Sequence, residues 1–373
     1  MNTLSSKIKT LFQTDPILVI SAVLAMISMS FVPPSVEYIS YIDFKTLACL
    51  FCLMASVMGY LHEGMLEKVS LLLSARLQDS RKLTLFLVFS CYFFAMFVTN
   101  DVALVTIIPI TLALLSTCDL ERQSAFIVIL QTIAANIGSS LTPIGNPQNL
   151  YLFSYYKMTL ADFLMTIFPI VFVGGLLLVL CCLLVPAIEL RSSVVANTSP
   201  LRKEKLILYS ILFLISTASV FDWIPYPVAA IIIFTTLWMT NKQILAKVDY
   251  SLLATFAFIF IFVGNIGQIE VIHTFLSTIT QDHTLFVAIL TSQITSNVPA
   301  AVLLSGFTDN AHQLLTGVNI GGMGTLIASM ASVISYKIYI GTYKKDNAKY
   351  LKLFTLWNLL FLIILSVLGV LLQ

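Results

Sequence analysis

Apolar residues run in long uncharged blocks along this chain, and short polar stretches between them carry most of the charge. A helix needs about 20 residues to cross roughly 30 Å of hydrocarbon. By that measure the pattern predicts spans at about 17–32, 46–60, 163–185, 206–221, 226–240, 249–265 and 352–372. Four further apolar pieces come in pairs joined by polar tips: 83–98 with 102–115 across Thr99-Asn100-Asp101, and 284–294 with 298–308 across Thr295-Ser296-Asn297. Arms this short fit hairpins that enter and leave on one side better than double crossings. Two more segments, 124–156 and 314–336, are long enough to cross but are interrupted midway.

The first interruption, AANIGSSLTPIGNPQNLYLF (134–153), concentrates helix breakers where hydrocarbon is expected. Each unsatisfied backbone group in lipid costs several kcal/mol, so irregular backbone survives only where protein or a polar cavity covers it. Gly138 and Gly145 permit open backbone, and Pro143 and Pro147 remove N–H donors. The freed carbonyls, with Asn136, Ser139, Ser140, Thr142, Asn146, Gln148 and Asn149, form an oxygen-rich set suited to hard cations, and half-helix N-termini beside them suit anions. Asn100 and Asn297 sit at equivalent hairpin tips, where Asn also caps helices well. Asp101 is the one acidic residue placed deep in the membrane, which makes it a candidate for carrying a proton or neutralising a bound cation.

Composition agrees: 58% of the 373 residues are hydrophobic and 10% charged, the balance of an all-α polytopic membrane protein with about 9–11 membrane segments. A net charge of +2 gives no reason to expect nucleic acid. With a cytoplasmic N-terminus and each hairpin returning to its own side, the inside segments are 1–15, 61–82, 116–124, 186–205, 241–249 and 337–352. They hold 18 of the 20 Lys and Arg, leaving Lys45 and Lys157 outside. The six cysteines form no disulfide framework, and Cys49 and Cys52 read as packing residues. No zincin, nucleophile-elbow or phosphate-loop pattern occurs, so an enzyme is not expected and no cofactor is implied beyond Na⁺ or H⁺ as coupling ion. Asn197-Thr198-Ser199 matches a glycosylation acceptor but falls on the cytoplasmic side. No Lys or Arg falls among the candidate site positions.

The chain also repeats itself. YIDFKTLACLFCLMASVMG (41–59) resembles KVDYSLLATFAFIFIFVGN (247–265), and NIGSSLTPI (136–144) aligns with NIGGMGTLI (319–327), which pairs Thr142 with Thr325. Lead helices of opposite direction make the repeats inverted, an architecture of secondary transporters with sites at mid-membrane. The expected organisation is an N-terminal helix in 1–40, repeat one in 41–185, a cytoplasmic linker with connecting helices in 186–246, repeat two in 247–336, and a loop with the last helix in 337–373.

FVTNDVALVTIIPI, NIGSSLTPIGNPQN and TSNVPAAVLL resemble the ion transporter superfamily of arsenite permeases, sodium/proton antiporters and divalent-anion/sodium symporters. The resemblance implies a mobile transport domain of hairpins and broken helices on a scaffold that leaves room for a homodimer. Carried over by position, Thr99, Asn100, Asp101 and Gly138 form one half-site, and Ser296, Asn297, Val298 and Gly321 the other. Asn100, Gly138, Asn297 and Gly321 would then hold Na⁺. Asp101 and Val298 stand where the symporters carry Thr, and the Asn-Asp tip looks more like the arsenite-permease branch. The expected function is a secondary transporter of the cytoplasmic membrane, moving a small ion (an anion foremost) coupled to Na⁺ or H⁺. The alternatives are a Na⁺/H⁺ antiporter or an arsenite exporter, with a channel a more distant reading.

Overall fold

A computed structural model describes residues 16–65, 67–68, 77, 79–118, 120–189, 202–343 and 347–372. The N-terminal lysines and the 197–199 triplet lie outside the described residues. The described chain is helical, without a β-strand, and one isolated bridge pairs Asp79 with Glu189. In chain order the helices are α1 (Pro16–Met29), α2 (Tyr38–Tyr41), α3 (Phe44–His62), α4 (Ser80–Val98), α5 (Asn100–Thr117), α6 (Ser124–Ser139), α7 (Pro147–Tyr155) and α8 (Leu160–Cys182). There follow α9 (Lys203–Val220), α10 (Tyr226–Thr240), α11 (Lys242–Ala246), α12 (Tyr250–Gly267), α13 (Glu270–Thr295), α14 (Asn297–Ser305), α15 (Ala311–Gly321), α16 (Met330–Thr342) and α17 (Asn347–Leu371).

Six of these, α3, α4, α5, α8, α12 and α17, are long and apolar enough to cross a membrane. Their outer faces stay apolar: along α8 Met165, Phe168, Phe172, Leu176 and Leu180 are all at least half exposed, a stripe that water would not tolerate and lipid would. This is a multi-pass membrane protein.

Three boundaries differ from the sequence reading. The first hairpin's arms, α4 and α5, have 19 and 18 residues, about 28 and 27 Å at 1.5 Å per residue, so either could cross. The extra turn of α4 exists because Asp79 caps it through the Lys82 N–H and the Ser80 hydroxyl donates to the Pro186 carbonyl, tying its polar start to the end of α8. In the second hairpin, α13 runs through a kink at His283 (φ −138°, ψ 39°) before its last turns, and α14 has only 9 residues, about 14 Å. The first pair is thus longer than the sequence reading expects, and the second joins a kinked 26-residue α13 to a short α14. Finally, α16 continues to Thr342, so Lys337 lies on the second broken helix and not in a loop.

Two polar networks divide the molecule. The lead helices α3 and α12 bond to their own neighbours: Cys49, Ser56 and Tyr60 meet Ser219, Ser216 and Ser210 of α9, and Asn265 donates to Ser28 and Tyr38. The hairpins and broken helices bond among themselves. The side chains of Cys49, Ser56, Tyr60 and Asn265 all bond on the lead-helix side. Where the two bodies meet, the contact is apolar and aromatic, with Tyr151 against Phe260 (5.5 Å between ring centres) and Phe153 against Phe221 (5.6 Å). At the N-terminal end of α3, Lys45 pairs with Asp222 at 2.7 Å, and Lys157 lines the same surface cavity of about 370 Å³. The two lysines that the charge rule leaves outside therefore share one face.

Candidate ion site at the hairpin tips

Both hairpins turn through the same strained backbone. Thr99 has φ 76° and ψ 152°, and Ser296 has φ 77° and ψ 154°. A residue with a side chain rarely holds a positive φ, and strain of this kind costs about 1–3 kcal/mol. The turn reverses the chain within one residue, so that α5 starts at Asn100 and α14 at Asn297. Asn100 Oδ1 accepts the Asp101 N–H at 2.9 Å.

The two broken helices restart alike. Asn146 (φ −154°, ψ 157°) precedes α7 and accepts the Asn149 N–H, while Ser329 (φ −144°, ψ 139°) precedes α16. Each stands ten residues after the Asn that opens its motif, Asn136 or Asn319. Thr142 donates to the Met96 carbonyl and Thr325 to the Gln293 carbonyl, each four residues before its tip Asn. Gly138 lies against the Tyr92 carbonyl, and Gly321 against Ile289 and Ser292, at matching places on the first arms.

Amides lace the halves together. Asn136 Oδ1 accepts from Asn100 Nδ2 (3.1 Å) and Ser329 Oγ (3.0 Å), and its Nδ2 donates to the Gly322 carbonyl (3.3 Å). Asn319 Oδ1 accepts from Asn146 (3.3 Å), and its Nδ2 donates to Asn149 Oδ1 (2.7 Å).

Four half-helix N-termini converge on one small cavity of about 30 Å³. Asn100 and Asp101 of α5, Pro147 and Gln148 of α7, Asn297 and Val298 of α14, and Met330 of α16 line it, with Ser296 and Ser329. Each N-terminus presents about half a positive charge, so together they supply about two, against one carboxylate. No Lys, Arg or His lines this cavity. Asp101 Oδ1 is buried with no hydrogen-bond partner. A water needs at least about 10–15 Å³, so the space suits a water or a bare ion and excludes an organic anion in this conformation.

The predicted residues therefore separate. Asn100, Asp101, Ser296 and Asn297 meet at the cavity. Thr99 and Asn146, with Asp101, line a larger neighbouring cavity of about 350 Å³. The hydroxyls of Thr142 and Thr325 are used to tie the breaks to the hairpins. Gly138 and Gly321 line neither cavity, and their carbonyls accept from the Leu141 N–H (3.0 Å) and Gln293 Nε2 (2.8 Å). The sequence reading did not single out Ser329 or Gln293. Ser329 was available from the register of the repeat, where it aligns with Asn146.

Residues 10–334 match the citrate transporter family, CitMHS. The chain belongs to that family. Within this setting it is 34% identical over 311 residues to an uncharacterized transporter of Methanocaldococcus jannaschii, covering 82% of this chain and 84% of the relative. It is 27% identical over 326 residues to the inner membrane protein YbiR of Escherichia coli, covering 85% and 86%. Over 144 residues it is 36% identical to the silicon efflux transporter LSI3 of rice, covering 38% of this chain and 29% of that protein. The citrate transporter family and the ion-transporter resemblance carried by the tip and break motifs thus agree.

Proposed function

We propose that this protein is a secondary transporter of the cytoplasmic membrane that moves a small anion, a carboxylate or oxyanion, coupled to Na⁺ or H⁺ by alternating access. The observation that carries the reading is the convergence of four half-helix N-termini on the cavity beside Asp101. The positive ends attract the anion, and Asp101 is the ionisable partner that takes up a proton or faces Na⁺. The family's description, citrate transporter, fits a carboxylate anion. The matched tips, restarts and threonine ties support an inverted repeat. The apolar seam supports a block of hairpins and broken helices that shifts against α3 and α12.

An antiporter or exporter driven through Asp101 alone is the second reading, favoured by the carboxylate oxygen that lacks a partner. Thermal stability of the purified protein separates the two, measured with citrate, sulfate and arsenite, with Na⁺ or choline, at two pH values. A ligand that binds only the folded protein raises its stability by mass action. A Na⁺- or pH-dependent shift with one anion, lost in Asn100→Ala, is the expected result. A shift with Na⁺ or pH alone, abolished by Asp101→Asn and indifferent to every anion, would favour the antiporter.

A further inference from the structure

The larger cavity lies in the seam, between α3 and α12 on one side and α5, α7 and α16 on the other. It shares Asp101, Pro147, Leu252 and Met330 with the small cavity, so the two adjoin at the hairpin tip. Its wall also includes Leu61, Asp249 and Lys337, from segments that the charge pattern places at the cytoplasmic end. Most of the wall is apolar, including Leu53, Val57, Val102 and Val333, and offers an ion no hydrogen bonds. The charges facing it then decide which ions enter.

Those charges are few. Asp101 sits at the deep end, and the N-termini of α5, α7 and α16 surround it with the opposite sign. The Asp249 carboxylate accepts the Leu252 N–H at 3.0 Å, so the N-terminus of α12 offsets part of its charge. Lys337 is exposed and makes no ion pair among the described residues. Among the described residues it is the only cationic side chain on the cavity wall. We infer that this cavity is a water-filled, anion-selective path from the cytoplasmic face to the tip site, with Lys337 as its selectivity residue and Asp249 as the opposing charge. The inference rests on the anion-transporter reading and adds to it the entry side and the residue that sorts the ions.

The test reads the field in the path without needing the substrate. In a Cys118→Ser background, which removes the one cysteine that is not buried among the described residues, Val333→Cys places a thiol one helical turn from Lys337. Residues four apart on a helix have Cβ atoms about 6 Å apart. The thiol is challenged with two reagents of matched size, sulfonatoethyl and trimethylammonioethyl methanethiosulfonate, and both rates are divided by those for a free small thiol. The normalised anionic-to-cationic ratio is expected to exceed one. A unit charge about 8 Å away in a water-like medium changes each rate by about a factor of 2.4. Lys337→Gln should therefore lower the ratio about sixfold, and Lys337→Arg should restore it. Asp249→Asn, which keeps the helix cap while removing the charge, should raise the ratio. A thiol unreactive to both reagents would overturn the path. A ratio indifferent to Lys337→Gln, or below one, would overturn the selectivity. Neither failure bears on the anion stability panel, whose own failure strikes the transporter reading instead.

Discussion

Asn136 and Asn319 occupy equivalent places in the two motifs, and each joins the two halves through buried amide bonds. Asn136→Ala strands three groups: Asn100 Nδ2, Ser329 Oγ and the Gly322 carbonyl. A buried polar group left without a partner costs about 1–3 kcal/mol. Asn100 and Ser329 line the small cavity, however, and a water admitted there can replace part of what is lost. The expected destabilisation is about 2–3 kcal/mol, taking the third group at its full cost and the other two at a fraction. Asn319→Ala strands Asn149 Oδ1, whose residue is fully buried and lines neither cavity, while Asn146 Nδ2 keeps its bond to Ser139 Oγ at 3.2 Å. With one group stranded at full cost, about 1–3 kcal/mol is expected. Unfolding from mixed micelles by titration with dodecyl sulfate measures both variants against the parent. A double-mutant cycle of Asn136→Ala with Ser329→Ala should show a coupling of about 1 kcal/mol. If Asn136→Ala costs less than about 1 kcal/mol, or the cycle shows no coupling, the assignment of these amides as the lacing between the halves is wrong.

Gly138→Ala should sharply lower the yield of folded protein, because its Cβ would overlap the Tyr92 carbonyl; Gly341→Ala, with nothing near the added carbon, should be neutral or stabilising by up to about 1 kcal/mol. Size-exclusion profiles of the two proteins in detergent test the contrast. Thr99→Gly should keep or raise stability by about 1 kcal/mol, since the residue holds a positive φ and its side chain caps nothing, whereas Thr99→Val should lower it. Thermal melts of the two variants decide this. A membrane-impermeant maleimide should label Cys118 in inverted vesicles and spare it in intact cells, while the five buried cysteines stay unlabelled in both. Labelling in intact cells would invert the orientation read from the lysines and arginines.

Much of the architecture was legible because breaking a helix in lipid demands special residues. Gly138, Pro143, Gly145 and Pro147 announce the first interruption, and the structure ends α6 at Ser139 and restarts the chain at Pro147. The second interruption carries fewer such signals: after Gly324 the chain reads TLIASMAS, and Ser329 precedes the restart with its backbone in the same extended conformation as Asn146. Composition therefore understates it, and only register with the first copy reveals Ser329 as a site residue. Lys337 was misplaced for a different reason. Its charge reads as the start of a loop, yet α16 carries it into the seam, where a long side chain can reach water. Nor could spacing foretell that Thr142 and Thr325 spend their hydroxyls on the hairpin backbone, because that depends on how closely α4 and α13 approach the breaks.

Under the proposed alternating access, the rings and methyl groups that line the seam would act as a bearing. A surface held by directional bonds has preferred stopping points, each of which must be broken before the next is reached. One held by rings and methyl groups has shallow ones, so one body can slide over the other at little enthalpic cost. A single bonding pair introduced across it, between α3 and α5 for instance, would work as a latch, making the protein harder to melt and slower to turn over. On that reading durability and speed would be set on the same face of the molecule, and a stabilised variant of this protein is best sought anywhere else.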